Sequence, residues 1–212
     1  HARRRFAEQG LPVQRAFADA HFPEGAIAYL DALGLLGPRT SLAHGVWLNE
    51  ADRTLCAVTG TTVVNNPSSN LRLRNGIAPV SALLAQGGAI AIGMDSTTLN
   101  GNEDMFEELR LAHALHGQPQ PQPWVGRPSP EALLSAATAG GARAAGFACG
   151  TLREGAPADI VLIDWDAVSS PLLADATPTA AAIVRHVSAR HVDTERVHAL
   201  DRGLGVIRRN YE

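Results

Sequence analysis

Three short apolar stretches constrain what this sequence can fold into more than any other feature. Each stretch is apolar throughout, and each is followed by an amphipathic helical pattern that ends at a glycine or a polar turn. Strands that are continuously apolar are buried on both faces, which indicates a parallel sheet covered by helices. The strands are predicted within the stretches 40–46, 61–65 and 89–95. This repeat predicts an α/β fold, either a (β/α)8 barrel or a doubly wound sheet.

Helical patterns fill the intervals between these strands. Asn49 is placed to cap a helix that ends at Gly60, with Leu55 and Val58 facing inward. The polar stretch 66–70 is predicted to be a loop that ends the second strand. Further helices are predicted at 24–33, 80–86, 102–116 and 129–147, the last with Ser129 as its cap.

Two polar residues close the first and third strands. His44 ends the first and Asp95 ends the third, and the carboxyl ends of parallel strands line the active site in this kind of architecture. A histidine and an aspartate at that edge can ligate a metal, polarise a substrate or move a proton. The alternatives are a hydrogen-bonded structural histidine and an aspartate that caps a helix or a turn.

The composition excludes several classes of site. All 18 basic residues are arginine, so the chain supplies no Schiff-base lysine, no phosphate-binding lysine and no carbamylated lysine. The net charge of -3 gives no electrostatic case for nucleic acid or an acidic membrane. No signal peptide and no membrane-spanning run is visible, and Cys56 and Cys149 are expected to be buried thiols in a reducing cytoplasm rather than a disulfide.

The character of the sequence changes after Gly150. Strands are predicted at 151–152 and 158–164, joined by a turn at 154–155, outside the earlier rhythm of strand and helix. We therefore divide the chain into 1–149 and a small β-rich appendage at 150–212, whose last stretch, 197–212, has weak periodicity and no assigned structure.

An ordered series of motifs closely resembles the second half of the amidohydrolase superfamily, in the branch that contains cytosine deaminase, guanine deaminase, S-adenosylhomocysteine deaminase and the chlorotriazine hydrolases. The resemblance extends to about residue 196. The motifs are Leu-Ala-His at 42–44, Asn-Pro-Ser-Ser-Asn-Leu at 66–71, Gly-Ile-Ala-Pro-Val at 76–80, Gly-Met-Asp at 93–95, Asp-Met-Phe-Glu-Glu at 104–108 and the segment 137–161.

The resemblance implies the C-terminal half of a (β/α)8 TIM barrel of the metallo-dependent hydrolase type, plus part of a small β-sandwich domain. It implies one divalent metal, zinc or iron, and hydrolytic deamination of a purine, pyrimidine, pterin or triazine-like ring. Asp95 would bind the metal and take the proton from the attacking water, and His44 would contact the substrate or the hydroxide. Asn70 and Ile77 would line the substrate pocket, although a structural turn is the alternative for that loop.

Other metal ligands of the resembled family have no match here. Its first strand carries a His-x-His pair, and its fifth carries a histidine followed by a glutamate. The fifth strand should follow Val13, where the sequence passes directly to Gln14. A strand of three residues is shorter than the roughly five needed to cross a barrel. We hypothesise that a short segment is absent between Val13 and Gln14.

The remaining histidines are weaker candidates. His113 and His116 are spaced to chelate zinc on one helix, but a surface role at the helix C-terminus is preferred. The histidines at 186, 191 and 198 are expected to lie away from the barrel mouth, and those at 1 and 21 have no assigned partner.

Two other functions stay open. One is a non-catalytic truncated barrel that binds a partner or self-associates, and the other is a cyclic amidase or dipeptidase of the same superfamily. A half barrel leaves strand edges open, so it should need its missing half or a second copy, and a homo-oligomer is expected.

Overall fold

A three-stranded parallel sheet forms the centre of the described structure. The structure is a computed structural model, and it describes residues 25–96, 101–117, 126–157, 159–170 and 177–192. The strands are β1 (Ser41–Ala43), β2 (Thr62–Asn65) and β3 (Ala89–Ile92), in the order β1-β2-β3. Thr62 of β2 pairs with Ser41 on one side and with Ala89 on the other. The predicted parallel sheet is confirmed.

Helices surround this sheet. Between α6 and α7 the chain forms one π-helical turn at Ala136–Gly140, and a 3-10 turn follows α9 at Ala189–His191. The helices of the described ranges are α1 (Ala26–Ala32), α2 (Glu50–Thr59), α3 (Pro67–Arg72), α4 (Val80–Ala85), α5 (Met105–His116), α6 (Pro130–Ser135), α7 (Gly141–Ala145), α8 (Trp165–Ser169) and α9 (Thr179–His186). Within the part of the chain that is described, no helix combines the length and the apolar character needed to cross a membrane.

Local capping signals predicted the helix ends well. The Asn49 side chain accepts from the backbone N–H of Asp52, and the Asp52 carboxylate accepts from the N–H of Asn49, which forms a capping box at the start of α2. Gly60 ends α2 in the left-handed conformation. Ser129 caps α6, as predicted, by accepting from the N–H of Ala132.

The inward face of α2 was predicted incorrectly. Val58 is 75% exposed and Leu55 is only partly buried, whereas Cys56 and Asp52 are buried. Residues 52 and 56 are one turn apart and share a face, while residue 58 lies nearly opposite residue 56. The helix turns the 52/56 face inward because it packs against α1 and α4 on that side. Cys56 and Cys149 are both free thiols, and Cys149 is half-buried.

The prediction of a loop at 66–70 is also wrong, because most of this stretch belongs to the helix α3. Pro67 occupies the first turn, where its fixed φ favours a helix and its missing N–H costs nothing. The N–H of Ser68 donates to Oε2 of Glu108 on α5 at 3.1 Å, and Glu108 is fully buried. This contact joins segments that are 40 residues apart, so local sequence gave no sign of it.

The π-helical turn packs directly against β3. A Cβ atom added to Gly140 would lie 2.4 Å from the backbone oxygen of Ile90, a distance that real Cβ contacts do not reach. Only glycine therefore permits this approach of helix to strand. The buried core beneath and around the sheet contains Cys56, Val63, Ala78, Val80, Leu83, Ile90, Ile92, Leu109, Ala112, Leu133 and Ala136.

The strands predicted after Gly150 do not form in the described residues. The turn at 154–155 is present, but the stretch that follows pairs at one position only, where Ile163 forms an isolated antiparallel bridge with Val192. A strand is stable only when its backbone groups have a neighbouring strand to pair with. The helices α8 and α9 follow instead, and α9 packs against α5 and α6.

Several sequence predictions lie outside the described residues. They concern the Val13–Gln14 junction, the histidines at 1, 21 and 198, and the stretch 197–212.

Candidate active site

His44 and Asp95 lie side by side, as their positions at the strand ends predicted. Nε2 of His44 is 3.8 Å from Oδ2 of Asp95, and both side chains are one-third exposed. His44 directly follows β1, and Asp95 is the third residue after β3, so the buried strand β2 separates their backbones. Both side chains therefore point over the same carboxyl edge of the sheet.

Both residues have strained backbones. The φ angles of His44 and Asp95 are both 69°, in the left-handed region that non-glycine residues rarely adopt. Each such residue costs on the order of 1 kcal/mol, and such strain concentrates at functional sites. Among the described non-glycine residues only Arg74 shares this conformation. The strain singles out the same pair that the strand pattern singled out.

Ser69 fixes the Asp95 carboxylate. Its hydroxyl donates to Oδ2 of Asp95 at 2.6 Å, a short bond typical of an O–H donor to a carboxylate. Ser69 lies in α3 and is fully buried, so its hydroxyl has little freedom to turn to water. Ser69 was not predicted from the sequence, because only the helical form of 67–72 brings it to the strand edge.

Asn70 holds the His44 ring from the other side. Nδ1 of His44 donates to Oδ1 of Asn70 at 2.9 Å, and Nδ2 of Asn66 lies 3.5 Å from the same ring nitrogen. Asn70 is 2% exposed, and the structure shows it in contact with His44. Its predicted contact with a substrate stays a prediction.

Ile77 lies on the loop between α3 and α4 and is 46% exposed. Its neighbour Gly76 approaches the loop that follows His44, since a Cβ added there would lie 3.1 Å from Cγ1 of Val46. Ile77 is therefore close in the fold to the segment that carries His44, and its role in a substrate pocket also stays a prediction.

The preferred surface role of His116 is wrong. His116 is 4% exposed, and Nδ2 of Asn65 donates to its Nε2 at 3.0 Å. Burial lowers the pKa of His116 to about 4, which keeps the ring neutral. Asn65 in turn accepts at Oδ1 from Nδ2 of Asn70 at 3.5 Å, so a buried polar chain links His116 to His44.

The other histidines do not join the site. Arg185 donates from Nε to Nε2 of His113 at 3.4 Å, and burial together with the nearby guanidinium groups lowers the pKa of His113. His186 and His191 line a cavity of about 450 Å³ bounded by α5, α8, α9 and the 3-10 turn, which also contains Arg110 and Arg190 but neither His44 nor Asp95. The prediction that His186 and His191 lie away from the strand ends is confirmed.

The described residues offer part of a metal site. A carboxylate and an imidazole at a strand edge are suitable zinc ligands, but zinc takes three or four protein ligands. No group of three or more His, Cys, Asp or Glu side chains comes together in the ranges that the structure describes. Asp95 and His44 can therefore supply a fraction of a metal centre.

The chain is similar in sequence to a known protein family and to curated relatives within it. The model of the amidohydrolase family matches residues 12–194. A 5-methylthioadenosine/S-adenosylhomocysteine deaminase from Thermococcus onnurineus is 37% identical over 145 residues, which cover 68% of this chain and 34% of the relative. A 5'-deoxyadenosine deaminase from Methanoregula boonei is 44% identical over 137 residues, which cover 64% of this chain and 30% of the relative. The chain thus spans about a third of the length of these curated relatives.

Solved structures share the fold. An adenosine deaminase from Xanthomonas campestris with bound zinc has a TM-score of 0.71 at 34% identity, over 84% of this chain and 40% of that one. An atrazine chlorohydrolase from Arthrobacter aurescens complexed with zinc has a TM-score of 0.71 at 24% identity, over 84% of this chain and 39% of that one, and shows a common fold alone. Since the family model covers most of its length, the chain belongs to the amidohydrolase family.

Proposed function

We propose that the chain is the second half of a metal-dependent deaminase, with Asp95 as a metal ligand and proton carrier and with His44 beside it. The observation that carries the proposal is the pair itself, two strained polar residues 3.8 Å apart at the carboxyl ends of β1 and β3. The coverage of about a third of the curated relatives supports the same view, because the remaining ligands would come from the rest of the enzyme.

In this proposal residues 1–149 form the β5–β8 half of a (β/α)8 barrel, and 150–212 form part of a β-sandwich domain. The parallel order of three strands supports the barrel assignment. β1 is an edge strand among the described strands, and the apolar residues Trp47, Leu152 and Val161 are exposed. Both features support the need for further protein to complete the fold. The first half of the barrel, or a second copy of the chain, would cover them.

The substrate we propose is a purine nucleoside that carries an exocyclic amine. Support comes from the two curated relatives, which are deaminases of adenosine derivatives. The activities of these relatives favour deamination over hydrolysis of a cyclic amide or a dipeptide. We propose zinc as the metal, because the adenosine deaminase of similar structure was crystallised with zinc.

The residues of this chain divide the work as follows. A bound divalent metal supplies acidity, since it lowers the pKa of a water molecule to about 7. Asp95 accepts the proton of the attacking water and passes it to the departing amine, which leaves as ammonia. Ser69 holds the carboxylate in the orientation that this transfer requires, because its hydroxyl is bonded to Oδ2. His44 contacts the substrate, or the hydroxide that attacks it, beside Asp95.

The test replaces Asp95 with Asn in the intact protein and follows ammonia release from 5'-deoxyadenosine in the presence of zinc. Asn keeps the shape but removes the charge and the proton-accepting ability, so we expect a loss of about a thousandfold in kcat/KM. The matched control is Asp31→Asn, because Asp31 is exposed on α1. Ammonia release that survives Asp95→Asn would contradict the assigned role of Asp95.

A second measurement addresses the non-catalytic alternative. Zinc content of the purified intact protein should be close to one ion per chain and should fall in Asp95→Asn. A wild-type protein that binds no zinc and releases no ammonia from any adenosine derivative would favour a binding module.

A further inference from the structure

We propose that His116 is a positioning residue that determines which ring nitrogen of His44 carries the proton, acting through Asn65 and Asn70. The consequence for the site depends on the proposed function. The arrangement of the side chains is independent of the proposed function, because it follows from hydrogen-bond donors and acceptors alone.

The first hydrogen bond in this series, between His116 and Asn65, fixes the orientation of the Asn65 side-chain amide. An amide nitrogen can only donate, so the 3.0 Å contact from Nδ2 of Asn65 requires a bare Nε2 on His116. His116 is neutral at ordinary pH because its burial disfavours the charged ring. With Nδ2 committed to His116, the Asn65 amide presents Oδ1 to Asn70.

The second hydrogen bond, between Asn70 and Asn65, fixes the orientation of the Asn70 side-chain amide. Asn65 and Asn70 are each 2% exposed. Nδ2 of Asn70 donates to Oδ1 of Asn65, so Oδ1 of Asn70 faces the ring of His44. An amide oxygen can only accept, and therefore Nδ1 of His44 must carry a proton. The weaker contact from Asn66 would favour the opposite tautomer, but at 3.5 Å it is longer than the 2.9 Å bond to Asn70.

All three hydrogen bonds run in one direction, from His44 towards His116. Such a chain is cooperative, because each bond polarises the next. Reversing both amides would reverse every bond and would place the His44 proton on Nε2 instead. A proton on Nε2 of His116 would produce that reversal, whereas an unprotonated Nε2, as the contact with Nδ2 of Asn65 requires, prevents it.

With its proton on Nδ1 alone, the His44 ring presents a lone pair on Nε2 next to Oδ2 of Asp95. Two acceptors do not bond to one another, and their 3.8 Å separation is too long for a hydrogen bond. The pair is arranged to share a donor or a cation placed between them. For the proposed reaction, His44 would then accept a hydrogen bond from the water or from an N–H or O–H of the substrate.

The experiment measures the tautomer directly by ¹⁵N–¹H NMR of histidine-labelled full chain at alkaline pH, without added metal. The His44 signals are assigned by their loss in His44→Gln. In the wild type we expect the proton on Nδ1 in both His44 and His116. A wild-type His44 protonated on Nε2, or a His116 whose Nε2 carries a proton, overturns the proposal without any further variant.

Substitutions at 116 separate this role from simple packing. His116→Phe keeps an aromatic ring but removes the acceptor, so the ratio of Nδ1-protonated to Nε2-protonated His44 should fall about tenfold, the equivalent of one net hydrogen bond. His116→Gln restores an acceptor oxygen and should return the ratio towards the wild type. His113→Phe, on the same helix but outside the chain of bonds, is the control and should leave it unchanged.

An unchanged ratio in folded His116→Phe overturns the proposal, and so does a His116→Gln variant that behaves like His116→Phe. Circular dichroism verifies folding, and the tautomers of His44 and His116 in the wild type still test the proposal if His116→Phe does not fold. Because the readout is a nitrogen signal rather than turnover, an enzyme that fails to release ammonia would refute the proposed function and leave this test intact.

Discussion

The sheet with its helices and the segment after Gly150 respond very differently to the same kind of sequence. Both contain runs of apolar residues that predict strands. In the sheet, β2 is buried along nearly its whole length and pairs on both sides. In the later segment, Leu152 is 83% exposed, Val161 is 60% exposed, and a single bridge replaces the predicted strand.

The difference shows that an apolar run encodes a strand only together with its neighbours. β1, β2 and β3 follow each other in the chain with helices between them, so each strand finds a partner nearby in sequence. The stretch 159–164 has no such neighbour among the described residues. Its contact with 177–192 is one isolated bridge between Ile163 and Val192, beside which the N–H of Asp164 donates to the carbonyl of His191. Hydrophobicity alone does not satisfy backbone donors and acceptors.

A matched pair of leucine substitutions tests this contrast with the largest expected effect. Leu83 is 2% exposed and belongs to the core cluster, whereas Leu152 is 83% exposed. Leu83→Ala should lower the free energy of unfolding by about 3 kcal/mol, because it removes buried surface and leaves a cavity. Leu152→Ala should change it by less than about 0.5 kcal/mol. Urea unfolding of both variants provides the measurement.

A large effect of Leu152→Ala would break the comparison. It would mean that the segment after Gly150 is packed in solution, and a dependence of that effect on protein concentration would identify a second copy as the covering surface.

The buried His116 predicts a pH dependence of stability whose upper limit is similar to the effect of Leu83→Ala. Its pKa in the folded chain is about 4, against an ordinary value near 6.5 in the unfolded chain. The unfolded chain therefore binds a proton in this interval that the folded chain excludes. The contribution is fully present above about pH 6.5 and declines towards pH 4, by at most about 3 kcal/mol.

His116→Gln isolates this contribution, because glutamine can accept from Asn65 but does not titrate. As the pH falls from 6.5 to 4, the wild type should lose up to about 3 kcal/mol of unfolding free energy relative to His116→Gln. A difference that stays constant over this interval would show that His116 is not held neutral in the folded chain.

Sequence reasoning was most successful where the signal is local. The strand ends gave His44 and Asp95, and the capping residues gave the ends of α2 and α6, because each of these features depends on a few adjacent residues. The tertiary contacts were missed. Ser69 reaches Asp95 only because 67–72 is helical, and that helix is anchored by Glu108 from 40 residues away.

The buried amide chain shows the same limit more clearly. The consecutive polar residues after β2 look like a solvated loop, yet Asn65, Asn66 and Asn70 are all at most 4% exposed. Their partner His116 lies 51 residues beyond Asn65, at a helix end where a histidine usually faces water. A polar run directly behind a buried strand was the available signal, and it indicates a site as readily as a turn.

The smallest expected effect compares two helix caps, one from each region. Asn49 forms a two-way capping box on the ten-residue α2, whereas Asp164 caps the five-residue α8 by accepting from the N–H of Ala167 alone. Asn49→Ala should cost about 1 kcal/mol, and Asp164→Ala about half of that, because α8 is short and its cap is exposed to water. Urea unfolding monitored by circular dichroism can resolve the two. Equal costs would show that α8 unfolds together with the sheet, and the two regions would then form one cooperative unit despite their different burial.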